Sequence, residues 1–453
     1  MNHNINQMLR KKGRCRQSLS SSQIILFGFL GVILTGTFLL MLPISATNSQ
    51  STSFIDALFT ATSATCVTGL IVFDTATHWT LFGQFVIISL IQIGGMGVVT
   101  IAIAITYASG RKIGLFQRST MQEAISAPSM GSIVHMTTFI IKGIFYIELL
   151  GAVLMLPVFC EDFGILKGIW YSIFHSISAF CNAGFDLMGI NSPFSSLTNY
   201  SANPIINIVI MLLIIIGGIS FLTWDDVIRN KWNFSKYRMQ SKAILIVTSL
   251  LIILPAIFFY FYEFSTAPTV ERILLSFFQS VTPRTAGFNT ANFMEMSEAG
   301  ITILIILMMI GGSPGSTAGG MKTTTIAVLF ATAFSAFKKK NNANMLGRSI
   351  PSDSIKNAST IFFMYLTLFL LGSVVISCIE DLPILSCMFE TASAIATVGL
   401  TLGITPDLSP LSHIILILLM YLGRVGGLTL FFAAFGARNQ NISKLPQENI
   451  NVG

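Results

Sequence analysis

Four times along the chain a short run of small residues closes on a glycine that is followed by Leu or Phe. The runs are Ser63-Ala64-Thr65-Cys66-Val67-Thr68-Gly69-Leu70, Ser178-Ala179-Phe180-Cys181-Asn182-Ala183-Gly184-Phe185, Thr282-Pro283-Arg284-Thr285-Ala286-Gly287-Phe288 and Ser393-Ala394-Ile395-Ala396-Thr397-Val398-Gly399-Leu400. Their glycines lie 115, 103 and 112 residues apart, and each has a phenylalanine ten residues upstream: Phe59, Phe174, Phe277 and Phe389. Self-similarity of this kind marks a repeated structural unit. The chain is built from four copies of one unit.

Composition decides the solvent of that unit. The chain is 53% hydrophobic and only 10% charged, against about 25% charged for a soluble domain. Apolar runs near the ~20 residues that cross a bilayer fall at Ile24–Leu42, Leu81–Tyr107, Phe139–Phe159, Pro204–Phe221, Ala243–Phe261, Ile301–Ile310 continuing weakly into Thr324–Phe334, Ser359–Cys378 and Leu411–Phe435. These give two spans per repeat and an all-α polytopic membrane protein. Arg10, Lys11, Lys12, Arg14 and Arg16 precede the first run as they would in a signal peptide, but its 19 residues exceed a cleavable core of about 7–15. It reads as a retained helix.

The formal charge of +7 does not point to nucleic acid. With the N-terminus inside and one crossing per span, segments 1–22, 108–142, 223–242, 336–357 and 436–453 hold five, four, five, five and two Lys or Arg residues, whereas the outer segments hold only Lys167, Arg272 and Arg284. This is the positive-inside bias, with both termini cytoplasmic. The basic loops Arg111–His135, Asp225–Lys242 and Lys338–Lys356 either seat a cytosolic partner or serve topology alone. The tail Asn439–Gly453 is polar. The six cysteines and five histidines show no metal or disulfide spacing, and His175 reads as a packing residue.

Each unit reads as helix, re-entrant segment, helix: repeat 1 over 23–107, repeat 2 over 108–222, repeat 3 over 223–337 and repeat 4 over 338–436, flanked by cytoplasmic segments 1–22 and 437–453. Phe54–Ala64, opened by the N-cap candidate Ser53, is too short to span and suits a half-helix that dips in and stops. The chain returning through Thr65–Gly69 is then irregular backbone at membrane depth, which is tolerated only inside protein or along a watery cavity. Four such segments around one axis turn carbonyl oxygens inward, in place of the water shell of a monovalent cation. Asp74 and Asp186, beyond the glycines, either concentrate cations at the outer mouth or are plain loop acids.

The second helices carry Gly94-Gly95-Met96-Gly97, Gly217-Gly218, Gly311-Gly312 and Gly423-Arg424-Val425-Gly426-Gly427. Close helix packing alone accounts for three of these. The third continues as Gly311-Gly312-Ser313-Pro314-Gly315-Ser316-Thr317-Ala318-Gly319-Gly320-Met321-Lys322, too rich in glycine and proline for a helix. It reads as a break that constricts the path, and as the only clearly broken span. Gly315 to Gly320 with Lys322-Thr323 imitates a phosphate-binding loop, but Met321 intrudes and no strand precedes it, so nucleotide hydrolysis is not expected. Arg424, a charge within the last span, faces the path below the filter as an electrostatic barrier or snorkels to the headgroups. Arg284 turns away from the axis and braces its own loop. Glu148, in the first helix of repeat two, reads as a structural partner for a neighbouring polar group, with no firm role assigned.

The motifs Cys66-Val67-Thr68-Gly69-Leu70, Asn182-Ala183-Gly184-Phe185, Thr282-Pro283-Arg284-Thr285-Ala286-Gly287-Phe288 and Thr397-Val398-Gly399-Leu400, with Gly319-Gly320-Met321-Lys322 and Gly423-Arg424, resemble the Trk/Ktr/HKT superfamily, and within it the KtrB-type membrane subunits of bacterial Ktr potassium uptake systems. The resemblance covers nearly the whole chain. It implies a pseudo-fourfold, potassium-channel-like pore of four M1–P-loop–M2 repeats in a bacterial plasma membrane. It implies a filter for K+ at Thr65–Gly69, Phe180–Gly184, Arg284–Gly287 and Ala396–Gly399, and a gate at Gly311–Gly320 with Lys322 and Arg424. It further implies a homodimer on a cytosolic KtrA/KtrC-type ring that binds ATP or ADP itself, Na+ as activator, and no cofactor on this chain. Glycine in all four repeats favours K+; a serine at the first position accompanies Na+ preference in some plant relatives. Thr65-Cys66 departs from the family's usual Thr-Thr, and carbonyl coordination makes that change small. The parallel sense of the repeats argues against an alternating-access secondary transporter, and the lack of an acid–base pair argues against an enzyme.

Overall fold

The computed structural model describes residues 20–97, 100–101, 120, 122, 133–190, 192–231, 233–340 and 342–426. The basic N-terminal segment, most of Arg111–His135, the stretches following Gly97 and Gly426 and the tail Asn439–Gly453 lie outside the described residues.

A long helix, a short helix and a medium one follow each other four times. The first triplet is α1 (Ser21–Leu40), α2 (Phe54–Cys66) and α3 (Leu81–Met96), and the second is α4 (Ile133–Phe163), α5 (Ile165–Cys181) and α6 (Pro204–Gly218). After α7 (Phe221–Asn230) come α8 (Met239–Phe258), α9 (Thr269–Val281) and α10 (Glu298–Met309), then α11 (Thr323–Phe337). A two-residue hairpin, β1 (Asn344–Met345) with β2 (Arg348–Ser349), leads to α12 (Ser352–Glu380), α13 (Ile384–Ala396) and α14 (Pro410–Val425).

Local chemistry sets these boundaries. Ser20 and Gln23 form a reciprocal capping box at α1, and Ser53 accepts the Asp56 N–H at α2. Pro410, in the first turn after the cap Ser409, starts α14 where its missing N–H costs nothing.

Among the described residues four helical segments are long and apolar enough to cross a membrane: Ser21–Leu40, Met136–Phe163, Met239–Glu263 and Ser352–Glu380. Their outer faces carry bare apolar side chains, such as Phe38 at 62% exposure, Tyr146 at 72%, Leu254 at 62% and Phe363 at 71%. Patches of that kind are suited to lipid rather than water. The short helices α2, α5, α9 and α13, of 13, 17, 13 and 13 residues, each pack against the long helix that precedes them. Two buried cores result, one around Ile87, Ile140, Phe174 and Ile210 and the other around Phe259, Leu304, Phe389 and Leu416. Tyr421 packs against both.

The second helices differ from the sequence reading, which saw one break. α3, α6, α10 and α14 have only 16, 15, 12 and 16 residues; α3, α6 and α14 stop within their glycine-rich stretches and α10 just before its own. Gly97 and Gly426 follow α3 and α14 at φ 84° and 87°, a region L-residues enter at a cost. After α6 the chain turns by 99° into α7. Only the third break, with its proline and five glycines, is written plainly in the local sequence.

The repeated phenylalanine also needs a correction in repeat three. Phe59, Phe174 and Phe389 are fully buried, whereas Phe277 is 40% exposed and Phe278 takes the buried place. Pro283 lacks the N–H a helix requires; α9 ends at Val281, six residues before its glycine, where the other three short helices end three residues before theirs.

Candidate ion pathway

The four recurring stretches turn in one way just before their glycines. Val67, Asn182, Thr285 and Thr397, each two residues before its glycine, have φ of 59°, 60°, 71° and 53°, and Gly69, Gly184, Gly287 and Gly399 have φ of 94°, 70°, 82° and 93°. The residue between them is not left-handed. Alternation of this kind turns successive carbonyls toward the same side of the chain. Left-handed Val and Thr are uncommon and strained, and strain on that scale, about 1–3 kcal/mol per residue, is characteristic of functional backbone.

A hydroxyl holds each of these turns. The Gly69 and Gly399 N–H groups donate to Ser63 and Ser393, both at 3.0 Å. In the other two repeats the hydroxyls donate instead, Ser178 to the Phe185 carbonyl at 2.7 Å and Thr282 to the Phe288 carbonyl at 2.6 Å. The sequence reading did not single out these four as site residues. The signal was present: each opens its recurring stretch.

The four glycines meet. A Cβ on Gly69 would fall 2.4 Å from the Ala183 carbonyl oxygen, on Gly184 2.7 Å from that of Ala286, on Gly287 2.5 Å from that of Val398, and on Gly399 2.1 Å from that of Thr68. Each contact joins a glycine to the pre-glycine carbonyl of the next repeat, and the fourth returns to the first. The ring is closed. Near it the buried hydroxyls of Thr65, Thr68 and Thr397 have no hydrogen-bond partner. On one side the four glycines open into a cavity of about 190 Å³ whose lining also includes Asp186, Ser196, Asn289, Asn292 and Thr401. Asp186 is the one charged side chain among the described residues lining it. Burial pushes its pKa up to about 7, with Asp74 adding in the same direction.

Other expected site residues lie apart from the ring. The Cys181 thiol points to Gln92 and Glu148, at 3.5 and 3.9 Å. The Phe180 carbonyl accepts from the Thr317 hydroxyl at 3.1 Å. Arg284 turns away, donating to Thr248 on α8 at 3.2 Å. Asp74 caps the turn at Thr75 and accepts the Phe194 N–H at 3.0 Å, which ties two outer loops together. His175 accepts the Leu187 N–H at 3.3 Å on Nε2 while Nδ1 meets the Tyr171 carbonyl at 2.8 Å, a brace for the loop beyond Gly184.

Next to the ring lies the segment between α10 and α11. It is pinned to α6 by Ser313 N–H to the Gly218 carbonyl at 3.0 Å and Thr317 N–H to that of Gly217 at 3.1 Å. Its own ends are tied by Gly311 N–H to Met321 at 2.8 Å and Thr323 N–H to Gly312 at 2.9 Å. The Lys322 ammonium folds back on the carbonyls of Ala318 and Gly319 at 2.7 and 3.3 Å. Gly319 and Gly320 press on Thr397 and Ala396, at the foot of the fourth turn. Arg424 donates from one nitrogen to Thr317 and from the other to Gly94, with Gly95 at 3.4 Å. The segment therefore touches repeats two and four, and Arg424 ties it to repeat one.

The glycines of α3, α6 and α14 have a shared task. A Cβ on Gly94, Gly217 or Gly423 would fall about 2 Å from the carbonyl of Thr65, Phe180 or Ile395, each four residues before a ring glycine (1.9, 1.9 and 2.0 Å). Packing explains these three, as the sequence suggested.

The chain matches the TrkH family, described as cation transport protein, over residues 8–444. It is 42% identical to the potassium/sodium uptake protein NtpJ of Enterococcus hirae, over 98% of this chain and 99% of that one. It is 39% identical to the Ktr system potassium uptake protein B of Bacillus subtilis, over 95% and 96%. The crystal structure of the potassium transporter TrkH from Vibrio parahaemolyticus superimposes with a TM-score of 0.69 at 22% identity, over 92% of this chain and 86% of that one, and so shares the fold. A multi-pass membrane protein with these relatives, this chain belongs to the TrkH family of cation transport proteins and is of the KtrB type.

Proposed function

We propose that this chain is the ion-translocating subunit of a potassium uptake system, and that K+ passes through the ring formed at Gly69, Gly184, Gly287 and Gly399. The closed head-to-tail contact of the four glycines carries the reading. Equivalent atoms meeting in cyclic order are what a rotation axis produces, whereas inverted repeats, the hallmark of many alternating-access carriers, would pair face to face. Carbonyls around such an axis replace an ion's water shell. The unpartnered hydroxyls of Thr65, Thr68 and Thr397 supply further oxygen ligands. Potassium is chosen over sodium because glycine stands in all four turns.

Segment 311–322 is the gate, with Lys322 and Arg424 as its fastenings and Arg424 as a positive barrier in the path. Both termini face the cytoplasm, in keeping with the basic inner segments. The working assembly is a homodimer on a nucleotide-binding cytosolic ring that holds ATP or ADP, with Na+ as activator.

Potassium flux into proteoliposomes tests this, with sodium as competitor, for the wild type and Gly287→Asp. Selective flux that the substitution abolishes or makes unselective supports the assignment. Unchanged flux removes Gly287 from the path. A silent wild type is repeated with the ring partner and ATP.

A further inference from the structure

The bend in repeat two brings a helix end against the gating segment. The chain leaves α6 at 99° and starts α7 at Phe221, whose N–H donates to the Gly315 carbonyl at 2.8 Å. First-turn N–H groups have no partner within their own helix and carry the positive end of its dipole, so a carbonyl there is well placed. Ser220, in the N-cap position, makes no side-chain cap and leaves this N–H to the segment.

The body of α7 is fixed from another direction. Asp226 is 3% exposed. Its carboxylate accepts the Arg238 backbone N–H at 3.1 Å and the Ser241 hydroxyl at 2.6 Å, and pairs with the Arg238 guanidinium at 3.4 Å. Arg238 is the N-cap residue of α8 and makes no side-chain cap of its own. Asp226 thus caps α8 from outside, and Thr223 adds a hydroxyl contact to Ser241 at 3.3 Å. Its neighbour Asp225 pairs with Arg229 and Arg238 at 2.6 and 3.2 Å on the exposed side.

We propose that Asp226 is a positioning residue for the gating segment: by clamping α7 to the start of α8 it fixes the Phe221 N–H that holds Gly315. α8 opens the repeat to which that segment belongs, so the clamp closes a loop of contacts between repeats two and three. A carboxylate at the bend then sets how firmly the segment lies below the ring. This rests on the reading of 311–322 as the gate.

The test uses the full chain in proteoliposomes, with Ser316→Cys labelled by a charged thiol reagent and protein lacking that cysteine as baseline. Asp226→Ala is expected to speed labelling about fivefold or more, the low end of coupling between linked sites. It should also raise unstimulated potassium flux and leave the K+/Na+ ratio unchanged. Asp225→Ala is expected to stay at the wild-type rate, because exposed ion pairs contribute little. Wild-type labelling in folded Asp226→Ala protein overturns the proposal, as does an equal rise with Asp225→Ala. Where Asp226→Ala does not fold, Ser241→Ala, which removes one of the three contacts, decides by the same readout. Labelling needs no ion flux, so a failure of the filter reading appears separately, in selectivity.

Discussion

The guanidinium of Arg424 donates to the Thr317 carbonyl, 107 residues earlier in the chain. A second bond from the same side chain reaches Gly94. One cation thereby holds segment 311–322 of repeat three against repeats one and four. Arg424→Gln is expected to loosen the segment and remove a positive charge from the path, raising potassium flux several-fold. Loss of two charged hydrogen bonds also costs about 3 kcal/mol or more in stability, at roughly 1.5–3 kcal/mol each. Flux assays paired with thermal unfolding in detergent separate the two effects; a variant with lower flux and unaltered stability contradicts this account.

Gly399 and Gly403 make a matched pair. Both have φ above +90°, at 93° and 91°, but a Cβ on Gly399 meets the Thr68 carbonyl at 2.1 Å while one on Gly403 meets nothing within 4 Å. Alanine at either carries backbone strain of about 1–2 kcal/mol. Gly399→Ala is expected to abolish selective flux, and Gly403→Ala to keep the wild-type K+/Na+ ratio. Equal loss in both would assign the effect to strain instead of ring contact.

Asp186 is the acidic side chain among the described residues lining the cavity beside the ring. With its pKa near 7 it is largely charged at pH 8 and largely neutral at pH 6. Uptake at subsaturating potassium is expected to fall as pH drops through 7 and to be flat with pH in Asp186→Asn. A unit charge ~8 Å from the ion in water is worth ~0.5 kcal/mol, so the half-saturating concentration should rise about two- to threefold. Initial rates measured against external pH check this.

Glu148 accepts the Gln92 amide at 3.1 Å, and the Cys181 thiol approaches it at 3.9 Å. Its backbone carbonyl accepts from Ser176 at 2.5 Å. Glu148→Gln keeps an acceptor for Gln92 and should cost under about 1 kcal/mol, whereas Glu148→Ala strands buried polar groups at about 1–3 kcal/mol apiece. Thermal unfolding of the two purified variants distinguishes them.

What was legible in the chain follows from where its causes lie. The ring glycines were legible because in repeats one, two and four each sits three residues past a helix end set by local turns, and Gly69 and Gly399 even share the same hydroxyl clip. Repeat three slipped by one residue at Phe277 and Phe278 because Pro283 changes that distance, an effect spacing alone does not reveal. The breaks after α3, α6 and α14 were hidden because their glycines answer to carbonyls of Thr65, Phe180 and Ile395, on other helices. Arg424 stood out as a misplaced charge, yet its partners Thr317 and Gly94 come from repeats three and one. Asp226 gave no signal, being one of two adjacent acids in what read as a basic inner loop.

The contact of Gly399 with Thr68 lies at a seam between the first and last repeats. Nearby the Tyr421 hydroxyl donates to the Leu26 carbonyl, 395 residues away in sequence. Synthesis delivers repeat one first and repeat four last, so the ring lacks one of its four members until the last unit is in place. No conduit exists until the final unit is inserted and the seam shuts. A chain stopped before repeat four is therefore not a shorter pore; it lacks a wall, and a growing polypeptide of this kind cannot leak ions through a finished ring while it is being made.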